Sequence, residues 1–151
     1  MRAEIAAKTN LGKQAHVYVE QGKLVPDELM IQFIQQRLLQ PDVKNGWILE
    51  GYPRTAFQAE ELDFLLKKLK QQLDWAIYLK VSESVMTERS LQRGLSDDLP
   101  DAIQCRIHNF QTYTVPILEY YDYRQKLLTI DGEQSPDLVE QAIMQQFKTL
   151  V

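Results

Sequence analysis

The chain is poor in the residues that build covalent and metal frameworks: its 151 residues include one cysteine and two histidines. A lone Cys105 excludes an internal disulfide and a cysteine-rich zinc site, and because free cysteines are usually buried it is expected to be an inert structural residue. His16 and His108 are too isolated for metal-ligand spacing and are expected at the surface or at helix ends. Glycine and proline, six of each, are too few for a collagenous or low-complexity chain. No apolar run approaches the length that crosses a bilayer, so no membrane partner is expected. The stretch Met1–Lys8 lacks the basic region and apolar run of a secretory signal, and a cytoplasmic location is expected. Basic charge is scarce as well. Lys and Arg total 17 against 21 Asp and Glu, a formal net charge of -4 that offers no broad attraction for nucleic acid or an anionic lipid surface. Any phosphate site must therefore be local, and the arginines matter individually. Also missing are a Ser-His-Asp constellation, an identifiable acid/base pair of carboxylates, and the G-x-x-x-x-G-K-[ST] loop that ordinarily cradles nucleotide phosphates.

What is present describes a soluble globular protein, 44% hydrophobic and 25% charged, and residues 1–151 are expected to form a single domain. Ile5, Leu11, Ala15 and Val19 recur at roughly helical spacing and predict a helix over 2–21, ended by Gly22. Pro26, with Asp27 and Glu28 in the first turn, opens a second helix with Leu29, Met30, Phe33, Ile34 and Leu38 on its apolar face, stopped by Pro41. Trp47–Leu49, bracketed by Gly46 and Gly51, reads as a buried strand of a parallel sheet. Thr55 and Gln58 have capping-box spacing for a helix through Leu62, Leu65, Leu66 and Leu69. Trp75–Val81 is the clearest strand, and Ser82 is placed to cap a helix that ends at Gly94. A long helix from about Asp98 to Arg124 should bend where Pro116 removes a hydrogen bond. Leu127–Ile130 is a third strand, and Ser135, Pro136 and Asp137 open the last helix. Strands alternating with helices indicate a layered α/β domain whose parallel sheet is covered on both sides. Such sheets bind ligands beyond the carboxyl ends of their strands, here at Glu50–Arg54, after Ser82 and at Asp131–Gly132.

The segment 50–55 sits where a strand gives way to a helix and can present Arg54 to a phosphate, whose oxygens suit the planar guanidinium fork. An ordinary connecting loop with a solvated arginine fits the same pattern. Arg89 and Arg93, four residues apart, share a helix face, and Arg106 lies near the start of the next helix. Like charges at that spacing weaken a helix slightly unless an anion sits between them, and a solvated face is again the plainer reading.

Taken together these pieces resemble the adenylate kinase family over essentially the whole chain. Glu50-Gly51-Tyr52-Pro53-Arg54-Thr55 with Gln58 is similar to that family's D-G-[FY]-P-R-T-x-x-Q signature. Arg2–Ala7 with Leu11-Gly12 looks like the first helix of its monophosphate-binding region, and Gly22–Asp27 like its adenine-facing turn. Arg89-x-x-x-Arg93-Gly94, Asp97-Asp98 and Arg106 resemble its short-lid phosphate clamp. Thr114-x-Pro116, Tyr120-Tyr121 and Ile130-Asp131-Gly132 follow in order.

The resemblance implies an α/β fold with a P-loop-kinase-like parallel sheet flanked by helices, from which the N-terminal P-loop strand and its neighbour are missing. Roughly, residues 1–41 would be the monophosphate-binding region and 94–100 a short lid. It implies ATP and AMP as partners, and Mg2+ carried with ATP. Arg2 and Arg54 would hold the phosphate of AMP, and Val25 and Gln58 would help recognise its base. Arg89, Arg93 and Gly132 would bind ATP, while Arg54, Arg93 and Arg106 serve the transferring phosphoryl group and Glu50 acts on the metal through water. Two positions depart from the family pattern: Glu50 stands for an aspartate, and Leu95 for a lid arginine. The expectation is a phosphotransferase making two ADP from ATP and AMP. The 151-residue chain is expected to be inactive alone while retaining weak AMP binding, and to self-associate through its incomplete sheet. The alternative is a degenerate binder that keeps only the AMP site.

Overall fold

A computed structural model describes residues 2–20, 25–94 and 98–150, with the backbone alone for Arg2, Val19, Glu20 and Leu150. The single helix predicted over 2–21 is two helices, α1 (Arg2–Ala6) and α2 (Asn10–Glu20). Lys8 adopts a left-handed φ of 53°, and the Thr9 hydroxyl accepts from the Gly12 N–H at 3.1 Å. That local side-chain bond competes with helix continuation, so the chain turns and restarts. The turn lays α1 against α2 so closely that a Cβ at Gly12 would stand 2.0 Å from the Glu4 carbonyl oxygen. The stop expected at Gly22 lies outside the described residues.

Helix α3 (Asp27–Leu38) begins after Pro26 as its sequence predicts and buries Leu29, Phe33 and Leu38. A 3-10 turn, Pro41–Asn45, follows where Pro41 was expected to stop the helix. In α4 (Ala56–Lys68) half of the capping box is in place: Thr55 Oγ1 accepts from the Gln58 N–H at 3.1 Å, Gln58 Oε1 accepts from the Arg54 N–H at 2.7 Å rather than from that of Thr55, and Ala59, Leu62, Leu65 and Leu66 face inward.

Among the described residues the strands are β1 (Ala76–Lys80) and β2 (Leu127–Asp131), which run parallel in register from Ala76 opposite Leu127 to Lys80 opposite Asp131. Leu128 and Ile130 are buried under the helices, whereas Ile77 and Leu79 are 42% and 47% exposed. The strand predicted at 46–51 is not one. That stretch has no regular secondary structure, and Ile48 is 95% exposed. A strand inside a parallel sheet is held by ladders along its length and by burial of both faces, and among the described residues none runs beside it. Trp47 and Leu49 nevertheless pack on the cluster of Leu38, Tyr52, Leu62, Leu65 and Leu66, and Trp47 Nε1 donates to Gln71 Oε1 at 3.1 Å.

Helix α5 (Glu83–Arg93) ends at Gly94, whose φ of 64° forms the expected left-handed cap. Ser82 precedes it, but its side chain makes no capping bond; Glu133, from the loop after β2, accepts the Ser82 N–H at 2.9 Å instead. The long helix predicted from Asp98 to Arg124 is divided into α6 (Pro100–Asn109), a π-helical turn at Phe110–Thr114, and α7 (Val115–Tyr123). The wide turn falls immediately before Pro116, which cannot donate the bond that a continuous helix would need. Cys105, expected to be buried, is exposed, because Ile103 and Ile107 take the inward face of α6. His16 and His108 are at the surface as expected. After β2, helix α8 (Pro136–Leu150) starts at the predicted proline, and α7 and α8 contact β2. The result is a helix-rich α/β layer of the P-loop-kinase-like kind, with fewer strands among the described residues than that sheet carries in full. No described helix is long and apolar enough to cross a membrane.

Candidate functional site

The turn between residues 46–50 and α4 is tied down from several directions. Gly51 has a φ of 76°, which suits a residue without a Cβ, and its carbonyl accepts from Arg54 Nε at 2.9 Å. The Arg54 carbonyl accepts from Thr114 Oγ1 at 3.0 Å, and its N–H donates to Gln58 Oε1 at 2.7 Å. Arg54 is thereby fixed at its backbone and at Nε, while its terminal nitrogens, which meet no protein acceptor among the described residues, remain available to a ligand.

Gln58 also reaches the start of α3, where its Nε2 donates to Asp27 Oδ1 at 2.6 Å. Tyr52 lies beneath, its hydroxyl donating to the Gln58 carbonyl at 3.3 Å. Burial, helped by the charges of Asp27 and Glu61, pushes the Tyr52 hydroxyl up to about 12. Val25 is half-buried against the Leu11, Ala15, Leu29 and Phe33 cluster, just ahead of α3. Arg2 lies in α1, and its guanidinium falls outside the described residues.

Arg89 and Arg93 leave the same face of α5 in different company. Arg89 forks onto the loop after β2, NH1 donating to the Gly132 carbonyl at 2.7 Å and NH2 to the Glu133 carbonyl at 2.9 Å. The loop is further stiffened by Asp131, which accepts from the Glu133 N–H at 3.0 Å and from Gln134 Nε2 at 3.1 Å. Those two bonds hold the Asp131 carboxyl below its ordinary range, and the bonds from Ser82 do the same for Glu133. Gly132 is required by crowding, since a Cβ there would meet Val81 Cγ2 at 2.7 Å. Arg89, Gly132 and Leu79 border a cleft of about 700 Å³ whose far wall is α8, at Val139 and Met144.

Arg93 turns to Asp98, Nε meeting Oδ2 at 3.0 Å and NH2 meeting Oδ1 at 2.8 Å. Arg106 NH1 reaches the same Oδ1 at 3.1 Å. The Asp98 side chain is 1% exposed, whereas those of Arg93 and Arg106 are 53% and 42% exposed. One buried carboxylate thus gathers two solvent-facing guanidinium groups, the arrangement that suits an anion approaching from outside. Leu95 and Asp97 lie outside the described residues.

Glu50 is exposed just before Gly51. Among the described residues no three His, Cys, Asp or Glu side chains gather so as to hold a metal ion. Mg2+ usually keeps several waters and takes one or two carboxylates together with substrate phosphates, and a lone carboxylate reaching through water fits that donor set.

Asp27 and Asp98 belong to sequence patterns that gave neither of them a role at the site, and Glu133 stands in no such pattern. Asp98 stands in the lid pattern beside Asp97, but its role as a shared anchor depends on a fold-dependent meeting of two helices. Asp27 and Glu133 act across 31 and 51 residues, beyond any local pattern.

A family model described as adenylate kinase matches residues 1–126. The chain is 58% identical over 144 residues to adenylate kinase 2 of Nostoc sp., covering 95% of this chain and 78% of that one. It is 59% identical over 144 residues to adenylate kinase 2 of Synechocystis sp., covering 95% and 80%. With the adenylate kinase of Stenotrophomonas maltophilia the identity is 39% over 152 residues, covering 98% and 81%.

Proposed function

The chain belongs to the adenylate kinase family, which are nucleoside monophosphate kinases, and on that premise we propose that its chemistry is the reversible transfer of a phosphoryl group from MgATP to AMP, giving two ADP. The observation that carries this reading is the pair Arg93 and Arg106 on the buried carboxylate of Asp98. Phosphoryl transfer asks a protein mainly for alignment and for charge beside the transferring group, which two anchored guanidinium groups supply. Arg54 joins them from the acceptor side. Arg2 and Arg54 hold the phosphate of AMP, with Val25 and Gln58 at its base. Arg89 and Gly132 serve the adenine of ATP, and Arg93 its phosphates. Glu50 would address Mg2+ through water when it is bound with ATP, and the metal would there supply positive charge to the phosphate oxygens. Residues 1–41 make up the monophosphate-binding region and 94–100 a short lid, and the protein works in the cytoplasm.

The 151 residues contain no G-x-x-x-x-G-K-[ST], and loss of even one preorganised donor costs about a hundredfold or more in rate. The chain by itself is therefore proposed to bind AMP weakly and to turn over nothing. A second reading, a binder that has lost catalysis, draws on Glu50 and Leu95 in place of the family's aspartate and arginine. Calorimetric titration with AMP and with ATP, joined to a coupled assay for ADP, tests the proposal. AMP heat without ADP is the expected result for this chain, and absence of AMP heat would overturn the acceptor site. An in-frame G-x-x-x-x-G-K-[ST] in the DNA upstream of the first codon selects the kinase over the binder.

A further inference from the structure

The side-chain amide of Gln58 is held at both ends. Its Oε1 accepts from the Arg54 N–H at 2.7 Å, and its Nε2 donates to Asp27 Oδ1 at 2.6 Å. A glutamine amide can turn end for end with little change of shape, exchanging donor for acceptor. Here such a turn would set the amino group against an N–H that only donates, and the oxygen against a carboxylate that only accepts. Both partners therefore assign the same orientation.

The rest of Gln58 is already anchored. Its N–H donates to Thr55 Oγ1 at 3.1 Å, and its carbonyl accepts from the Tyr52 hydroxyl at 3.3 Å. The freedom that remains is the orientation and reach of the side chain, which Asp27 restricts. Asp27 is positioned for this as the first residue of α3, half-buried, while Glu28 beside it is exposed and also complements the positive end of the helix.

We propose that Asp27 is a positioning residue for base selection in the acceptor site: by fixing which end of the Gln58 amide donates, it favours a 6-aminopurine monophosphate over a 6-oxopurine one. This rests on Gln58 reading the base. In the fixed orientation the amide nitrogen keeps one further N–H and the oxygen one further lone pair. Adenine presents an acceptor beside its 6-amino donor, and glutamine pairs with it through two such bonds. Guanine presents a ring N–H beside its 6-oxygen, the reverse order, which the amide meets only after turning over. Removal of Asp27 leaves Arg54 as the single partner opposing that turn.

The test is titration of the full chain with AMP and with GMP, for the unaltered protein and for Asp27→Ala, Asp27→Asn and Gln58→Ala. The unaltered chain is expected to prefer AMP. Asp27→Ala should narrow the preference roughly two- to tenfold, the net worth of one hydrogen bond, chiefly by weakening AMP. Asp27→Asn retains an oxygen that accepts from Nε2 and should keep more of the preference, while Gln58→Ala should lose it. A preference unchanged by both Asp27 variants but lost in Gln58→Ala overturns the role of Asp27 and leaves the base reading standing. A preference unchanged by Gln58→Ala, or absent from the unaltered chain, overturns the base reading and this inference with it. The Gln58 side-chain amide protons in the ligand-free protein give a readout that does not depend on nucleotide. They should be shifted and slow to exchange, and should lose both properties in Asp27→Ala. Free, fast-exchanging protons in the unaltered chain would overturn the proposal.

Discussion

Arg93 meets Asp98 side-on, with two nitrogens of one guanidinium facing two oxygens of one carboxylate at 3.0 and 2.8 Å. Removing one partner of a fully buried pair costs about 3–5 kcal/mol. The guanidinium groups here are 53% and 42% exposed and are taken up by water when released, so Asp98→Ala should cost about 1–2 kcal/mol. Arg93→Ala should cost more, because it withdraws two bonds from a carboxylate that water does not reach. Arg37→Ala, which breaks a pair exposed at both ends, should leave the urea midpoint unmoved and serves as the reference.

Gly12 is where α1 and α2 touch. Alanine normally favours a helix over glycine by about 1 kcal/mol, but a methyl group 2.0 Å from the Glu4 carbonyl oxygen has to push the helices apart. Gly12→Ala is expected to lower stability by about 1–3 kcal/mol, read from denaturant melts. Because α1 carries Arg2, AMP affinity should fall with it if that arginine holds the acceptor phosphate.

The stability of the protein should decline in alkali. Burial raises the Tyr52 hydroxyl from 10.0 to about 12, so between those values the unfolded chain has released a proton that the folded one retains. Tyr121 is displaced in the same direction, again chiefly by burial. Stability from both is fully present below about pH 10 and is lost as the pH rises past that value. Melting temperatures measured up the alkaline range should fall beyond that point, and Tyr52→Phe should flatten the decline. A flat profile in the unaltered chain would contradict the burial of these hydroxyls.

Ile77 and Leu79 lie on one face of β1 and are 42% and 47% exposed, and Met144 across the cleft is 51% exposed. If copies of the chain associate through the incomplete sheet, Ile77→Glu on β1 should weaken association roughly ten- to hundredfold, the worth of burying one aliphatic side chain. Sedimentation across a concentration series measures this. A chain that stays monomeric at every concentration removes the self-association expected from its sequence.

Much of the local structure was legible because it is written in neighbouring residues. Thr55 with Gln58, Gly94 after Arg93 and Pro136 after Ser135 each mark a helix end within one turn, and each is found there. The failures share a cause. The break at Lys8 needed a left-handed lysine, and the π turn before Pro116 needed a choice among ways to absorb a missing donor; neither has a periodic signature. The run at Trp47–Leu49 has the composition of a strand but no neighbour beside it among the described residues, and pairing is not a local property. At the candidate site the sequence pointed to arginines and did not show which acids organise them. Asp98, Asp27 and Glu133 look like ordinary surface carboxylates until the fold brings their partners near.

Glycine at 132 is the point where β2 ends and its N–H is taken by the Lys80 carbonyl at 2.9 Å. Up to that point a two-stranded parallel ribbon offers hydrogen bonds along one border of each strand, and the amides of a strand point alternately to its two borders. Deuterium labelling of β1 should therefore follow an odd-even rhythm. Amides directed at β2 exchange slowly, those directed away exchange at nearly the speed of solvent, and a strand settling along the open border would silence the fast set.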